Sequence, residues 1–215
     1  MYSVNSPIFL QSAGNSTRFE GIKMMFLSDD PTIQSITGTG DITIRSTKNG
    51  EEVIDTITDP EGDAVAVQAD KNTWIYIEGE VTELEHTDET KLVRLTATNT
   101  ALTILNCYSC YALQELNLST NTALTSLNCS DCYALQELNL STNTALTSLD
   151  CNSITQITAI SYPATNSDVA TAIANAITNA DSSDGIVYTD SDADYYSTIE
   201  TAANDKGWTI APIAA

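Results

Sequence analysis

The chain has 215 residues, 42% hydrophobic and 17% charged, with 29 acidic side chains against 8 basic ones and a net charge of −21. That length supports one long or two short domains with a substantial core. From Leu95 to Asp205 there is no Lys or Arg, which argues against nucleic acid and anionic membrane surfaces as partners, and no apolar run approaches the ~18 residues of a membrane span.

The first ten residues, MYSVNSPIFL, have no basic region and no long apolar core, so they do not read as a secretory signal. The expectation is a chain that bypasses the general secretory route, with Met1 either its native start or a trimmed one. Met1, Tyr2, Ser3, Val4, Asn5, Ser6 and Pro7 read as an exposed arm, a candidate for attachment to a neighbour's sheet. Residues 1–80 alternate in a β manner, with β-rich runs at 8–12, 22–28, 42–46, 53–58, 64–69 and 74–79. Turn signals separate them at Asp29-Asp30-Pro31, Gly38-Thr39-Gly40, Lys48-Asn49-Gly50, Pro60-Glu61-Gly62-Asp63 and Asp70-Lys71-Asn72. This spacing predicts a small antiparallel sheet or sandwich.

Between Leu102 and Ser153 the chain counts in elevens. Apolar residues fall at positions 1, 4 and 6 of each unit: Leu102, Leu105, Cys107; Leu113, Leu116, Leu118; Leu124, Leu127, Cys129; Leu135, Leu138, Leu140; Leu146, Leu149, Cys151. Asn121 and Asn143 hold position 9 in alternate units. Odd and even units differ consistently, so the full period is 22, and fixed periods in the twenties mean stacked coils. Val81-Leu84-His86 and Leu92-Leu95-Ala97 fit the same template upstream, and Ile154-Ile157-Ala159 reads as a last, shortened unit.

The pattern LxxLxLxxN resembles the leucine-rich-repeat signature. Its doubling within one 22-residue coil is similar to a nested subclass associated with surface proteins of gut anaerobes and with virion proteins of their phages. The resemblance implies recognition or scaffolding rather than chemistry.

Downstream, Val169, Ile173, Ala176 and Ile177 fall on one helical face opened by Ser167 or Asp168. Gly185-IVY reads as a strand, and a second helix runs through Tyr195, Tyr196, Ile199, Ala202 and Ala203 to Gly207. Trp208-Thr-Ile210 reads as a final strand. The fold class expected is therefore mainly β: a short leucine-rich-repeat solenoid (81–160), an N-terminal antiparallel β domain (1–80) and a small α/β cap (161–215).

Candidate chemistry is sparse. His86, Cys107, Cys129 and Cys151 form one column at position 6, in a ladder with Leu105, Leu116, Leu118, Leu127, Leu138, Leu140 and Leu149. A Cys–His pair one coil apart suggests a nucleophile with its base, yet ladder positions face the core, where a small thiol packs well and a substrate cannot enter. Zinc is disfavoured because a straight ladder does not converge tetrahedrally, although Cys107/Cys110 and Cys129/Cys132 each have CxxC spacing. Cys110 and Cys132 replace the position-9 Asn, and Tyr111 and Tyr133 beside them are expected to support those turns. Asp190-Ser-Asp192-Ala-Asp194 opens like a calcium loop, but Tyr195 and Thr201 stand where Gly and Glu are needed. No cofactor, metal or catalytic residue is expected.

Two outward faces remain. Thr103, Asn106, Thr125, Asn128, Thr147 and Asp150, with Ser126 and Ser148, line one as a candidate binding face. Gln114, Glu115, Asn117, Gln136, Glu137 and Asn139 line the other, and neither promises an apolar pocket. The expected function is a structural or binding protein of a phage virion: a capsid decoration, head-fibre or tail-associated component. The alternative is a bacterial cell-surface adhesin. Expected partners are other virion or surface proteins, sister copies, or a host-surface protein or glycan.

Overall fold

The computed structural model describes residues 21–87, 91–98, 101–162, 167–189 and 195–212. The Met1–Pro7 arm, the run at 8–12 and the segment 190–194 lie outside these. The chain is mainly β, and two helices occur among the described residues.

Five strands come first among the described residues: β1 (Ile22–Phe26), β2 (Thr32–Lys48), β3 (Glu51–Thr58), β4 (Glu61–Ala66) and β5 (Trp74–Glu85). They pair antiparallel. β2 lies against β5 on one side and against β3 and β4 on the other. Asn49 and Gly50 have φ of 54° and 81°, the positive values that a two-residue hairpin turn requires. Gly38-Thr39-Gly40, expected as a turn, instead lies within β2, where the register against β5 shifts between Thr39 and Thr43. Glycine marks a bulge as readily as a turn, and here a Cβ on Gly38 would sit 2.6 Å from the Glu80 carbonyl oxygen. β5 also runs through residues 80 and 81, so the expected domain boundary falls inside one strand.

β1 is the closure of the front end. It pairs antiparallel with β5 on one edge and with β6 (Leu92–Ala97) on the other, Ile22 facing both Ile77 and Ala97. Ile22, Met24 and Phe26 alternate inward and are buried. The sheet therefore curls around β1, and from its two limbs parallel strands continue.

On the β5 limb follow β7 (Ile104–Asn106), then β9 (Ser126–Asn128) and β11 (Ser148–Asp150). Leu84 pairs with Leu105, Leu105 with Leu127 and Leu127 with Leu149. On the β6 limb lies β8 (Glu115–Asn117), Leu95 pairing with Leu116. A second sheet on the same side carries β10 (Glu137–Asn139), β12 (Ala159–Ser161), β13 (Ile186–Tyr188) and β14 (Thr209–Ala211), all parallel. Leu102, Leu105, Leu113, Leu118, Leu124, Leu127, Leu135, Leu138 and Leu140 are essentially fully buried between the limbs. Each stabilises the fold by about 1.5–3 kcal/mol relative to exposure.

The last unit differs from the expectation. Leu138 pairs with Ile160, so Ile157, Ile160 and Tyr162 stand 22 residues beyond Leu135, Leu138 and Leu140, at positions 1, 4 and 6. Ile154 stands 22 beyond Cys132, at position 9, and its carbonyl accepts from the Ile157 N–H at 3.1 Å as the Cys132 carbonyl does from Leu135 at 3.0 Å. No residues are missing from that unit. The unit looks shortened in the sequence because Ile154 and Ile157 are apolar at the same i, i+3 spacing as positions 1 and 4.

Helix α1 (Ser167–Asn179) follows β12 in the chain and packs against β11 and against α2 (Tyr196–Lys206). Val169, Ala170, Ile173, Ala176 and Ile177 are the buried face of α1. α2 ends at Gly207, whose φ of 83° lets its N–H return to the Ala203 and Asn204 carbonyls. Trp208 then lies over Gly185, where a Cβ would come within 2.4 Å of the indole, and its Nε1 donates to Ser182 O at 2.9 Å. The C-terminal segment thus extends the β10–β12 sheet with two more parallel strands.

Candidate functional site

The position-6 column lies inside. His86, Cys107, Cys129 and Cys151 are each at most 1% exposed. The imidazole of His86 packs edge-on to Phe26, with ring centroids 5.0 Å apart, and burial pushes its pKa down to about 4. The Cys107 thiol is held well above its usual range by its hydrogen bond with Cys132 and by burial; burial likewise raises Cys129 and takes Cys151 up to about 12. These shifts oppose catalysis, since a nucleophile needs a thiolate and a base needs an imidazole that protonates near neutrality. The thiols are tied to backbone instead. Cys110 Sγ donates to His86 O at 3.0 Å, Cys132 Sγ to Cys107 O at 3.2 Å and Cys107 Sγ to Asn128 O at 3.3 Å. All five cysteines are buried and free of disulfides. We therefore expect a maleimide at pH 8 to leave Cys107, Cys129 and Cys151 unlabelled in the native protein over a period that labels the denatured chain completely. Fast native labelling of all three would contradict their burial.

The candidate face on the β5 limb is brought together, and its side chains are already engaged. Thr103 Oγ1 donates to Thr82 O at 3.0 Å, Thr125 Oγ1 to Thr103 O at 3.0 Å and Thr147 Oγ1 to Thr125 O at 3.2 Å. Asn106, Asn128 and Asp150 accept from the backbone N–H two residues on, at 3.1–3.2 Å. That is the Asx turn that starts the loop after each strand. The threonines thus brace one strand against the next while the Asx residues shape the turn after each strand, and the regular spacing of these six residues has this mechanical cause.

The turn edge carries aromatic rings. Tyr111 and Tyr133, one period apart, stack with centroids 5.4 Å apart and 12° between planes, and both are about 40% exposed, as is Tyr108.

The other limb holds a feature that the sequence reading did not anticipate. β8 hydrogen-bonds to β6, and β10 to β12, but no ladder joins β8 to β10, and the two belong to different sheets. Between them lies a cleft of about 400 Å³ lined by Gln114, Glu115, Leu116, Asn117, Leu118, Ser119, Glu137 and Asn139. Its rungs stay tied at the turn edge: Thr142 Oγ1 donates to Ser119 O at 3.0 Å, and Asn143 Nδ2 donates to Leu118 O at 3.1 Å and Asn121 O at 2.9 Å. No signal in the sequence marks this opening, because Leu116 and Leu138 keep the 22-residue offset of pairs that do form.

Several basic side chains of the N-terminal region are paired within the chain. Arg45 reaches Glu78 at 3.1 Å and Glu52 at 3.5 Å, Lys48 reaches Asp30 at 3.0 Å and Asp70 at 3.8 Å, and Arg94 reaches Glu115 at 3.1 Å. Comparison of the chain with family models, with curated proteins and with solved structures finds no match.

Proposed function

We propose that this chain is a non-enzymatic binding scaffold built as a short leucine-rich-repeat solenoid, capped in front by residues 1–80 and behind by residues 161–215. The observation that carries the reading is the parallel register of Leu105, Leu127 and Leu149, each one 22-residue period from the next. Stacked coils of this kind bury a continuous core and present regular outer faces, the usual basis of recognition surfaces in repeat proteins. The column of inward thiols and a low-pKa imidazole supports a structural rather than a catalytic role.

The setting we propose is a phage virion, as a capsid decoration, head-fibre or tail-associated protein attached through the N-terminal region. β3 and β4 support that polarity: among the described residues each pairs only with β2, leaving an outer edge, and Ile54 of β3 is half exposed. Such an edge is a template for strand addition from a neighbour or a sister copy. The acidic coils would then project away, kept apart by their charge. The exposed Tyr111–Tyr133 stack favours a second reading, a bacterial surface adhesin that binds a protein or a glycan.

Antibodies raised against residues 102–162 separate the two. Labelling of intact purified virions is the expected result, with less labelling by antibodies against residues 21–80. Labelling of intact cells alone would overturn the virion reading in favour of the adhesin.

A further inference from the structure

Tyr111 and Tyr133 are held in register by the turns that carry them. Ser109 and Asp131, two residues before each ring, both take a left-handed φ of 57°. The turns then close alike, with the Leu113 N–H donating to Cys110 O and the Leu135 N–H to Cys132 O, each at 3.0 Å. They are also tied to each other: the Ser109 N–H donates to Ser130 O at 2.9 Å, and Cys132 Sγ donates to Cys107 O at 3.2 Å. Neighbouring rungs of a β ladder lie about 4.8 Å apart, so equivalent aromatic rings one coil apart meet as a stack. Here the centroids are 5.4 Å apart with 12° between planes, within the range that aromatic pairs favour.

The same coils set which side chains an oxidant reaches first. Cys107, Cys110, Cys129 and Cys132 are 0% exposed, and thiol oxidation follows exposure and thiolate character. Trp208 and Met24 are buried as well. Tyr111 and Tyr133 stand about 40% exposed, more than Tyr76, Tyr162, Tyr188, Tyr195 or Tyr196. Tyr108 is as exposed as the pair but, among the described residues, stacks on no other ring.

We propose that Tyr111 and Tyr133 are a site of oxidative cross-linking, joined ring to ring as a dityrosine that staples two successive coils of a chain whose five cysteines are free of disulfides. The co-reactant is a one-electron oxidant, such as a haem peroxidase supplied with hydrogen peroxide. Each tyrosine gives one electron to the oxidant and its phenolic proton to water, leaving two phenoxyl radicals with spin on the carbons ortho to oxygen. A carbon–carbon bond forms between one ortho carbon of each ring, and the hydrogens displaced from those carbons return as protons to the two oxygens. Two tyrosines and one hydrogen peroxide thus become one dityrosine and two waters. The link closes the loop from residue 111 to residue 133, and a covalent loop stabilises mainly by restricting the unfolded chain. It needs no binding partner, so it is independent of the scaffold reading.

The test treats the whole chain, at low protein concentration, with a haem peroxidase and hydrogen peroxide. Expected are the blue emission of dityrosine, a single-chain product lighter by two hydrogens, and a linked Tyr111–Tyr133 peptide on mapping. Tyr111→Phe and Tyr133→Phe should each lower the emission at least tenfold, while Tyr108→Phe should leave it within twofold. A ruthenium photo-oxidant with persulfate, which also works in urea, separates folded geometry from sequence. It should give at least tenfold less of the 111–133 link in the urea-denatured chain than in the native one. The linked chain, once isolated, should need more urea to unfold than the unlinked chain. Emission unchanged in Tyr111→Phe, or products dominated by Tyr108 or by joins between chains, would overturn the proposal. So would an equal yield of the 111–133 link in native and denatured protein, because the folded stack would then play no part.

Discussion

Leu127→Asp should unfold the parallel strands as a unit. Leu127 is 1% exposed and is the middle of the Leu105–Leu127–Leu149 ladder, so no relaxation of one neighbour can bring a carboxylate there to water. The substitution removes about 1.5–3 kcal/mol of burial and adds an unpaired buried charge at several kcal/mol. Together these match the roughly 5–15 kcal/mol that holds a domain folded. Circular dichroism at 25 °C should show loss of the native signal in one transition with urea already shifted toward zero. Leu149→Asp, at the half-buried end of the same ladder, should be milder. A Leu127→Asp protein melting within a few degrees of the parent would mean a cost near 1 kcal/mol, incompatible with the inward placement.

The second large effect is on acid stability. His86 is neutral in the fold, with its pKa pushed by burial from 6.5 to about 4. Because the folded value is depressed, the unfolded chain binds the extra proton first as pH falls. The stabilisation is fully present above about pH 6.5, declines between 6.5 and 4, and is gone below that; its full size is about 3 kcal/mol at 1.36 kcal/mol per unit. Two other groups of charges act in the same acid range. The Asp30 carboxyl, lowered by its hydrogen bond with Lys48, matters only below its usual 3.8. Protonation of other carboxylates relieves self-repulsion in a chain of net charge −21 and works in the opposite direction. The comparison with His86→Leu isolates the histidine. The difference in urea stability between parent and variant should change by about 3 kcal/mol between pH 7 and pH 4, the parent losing ground. A pH-independent difference would show that His86 is not held neutral by burial.

The sequence is most legible where the physics is local and periodic. Apolar residues at positions 1, 4 and 6 mostly point inward because strand side chains alternate and the apolar ones are buried between the two limbs. The α1 face, the Gly207 stop and the Asn49-Gly50 hairpin follow from helical period and from backbone conformations that few residues tolerate. Legibility fails where one signal has two structural outcomes. Gly38 and Gly40 mark a bulge rather than a turn, and Ile154 imitates a position-1 residue while standing at position 9. The candidate binding face misleads for a related reason. Polar residues repeated at fixed spacing look presented to a ligand, whereas the hydroxyl of each threonine reaches the carbonyl of the preceding rung.

Residues 112–127 and 134–149 are identical, so every difference between them belongs to tertiary structure. The sequence by itself determined what both copies share: an inward Leu at positions 1, 4 and 6, an Asn at the turn, and an outward Glu and Asn on one short strand. The tertiary structure decided their neighbours. β8 pairs with β6 and carries an Arg94–Glu115 contact, while β10 pairs with β12, and the two do not pair with each other. Strand pairing is a contact between distant residues, set by how the curl around β1 and the helical rear end dispose the rungs. Identical side chains can turn inward in both copies and still leave one edge open.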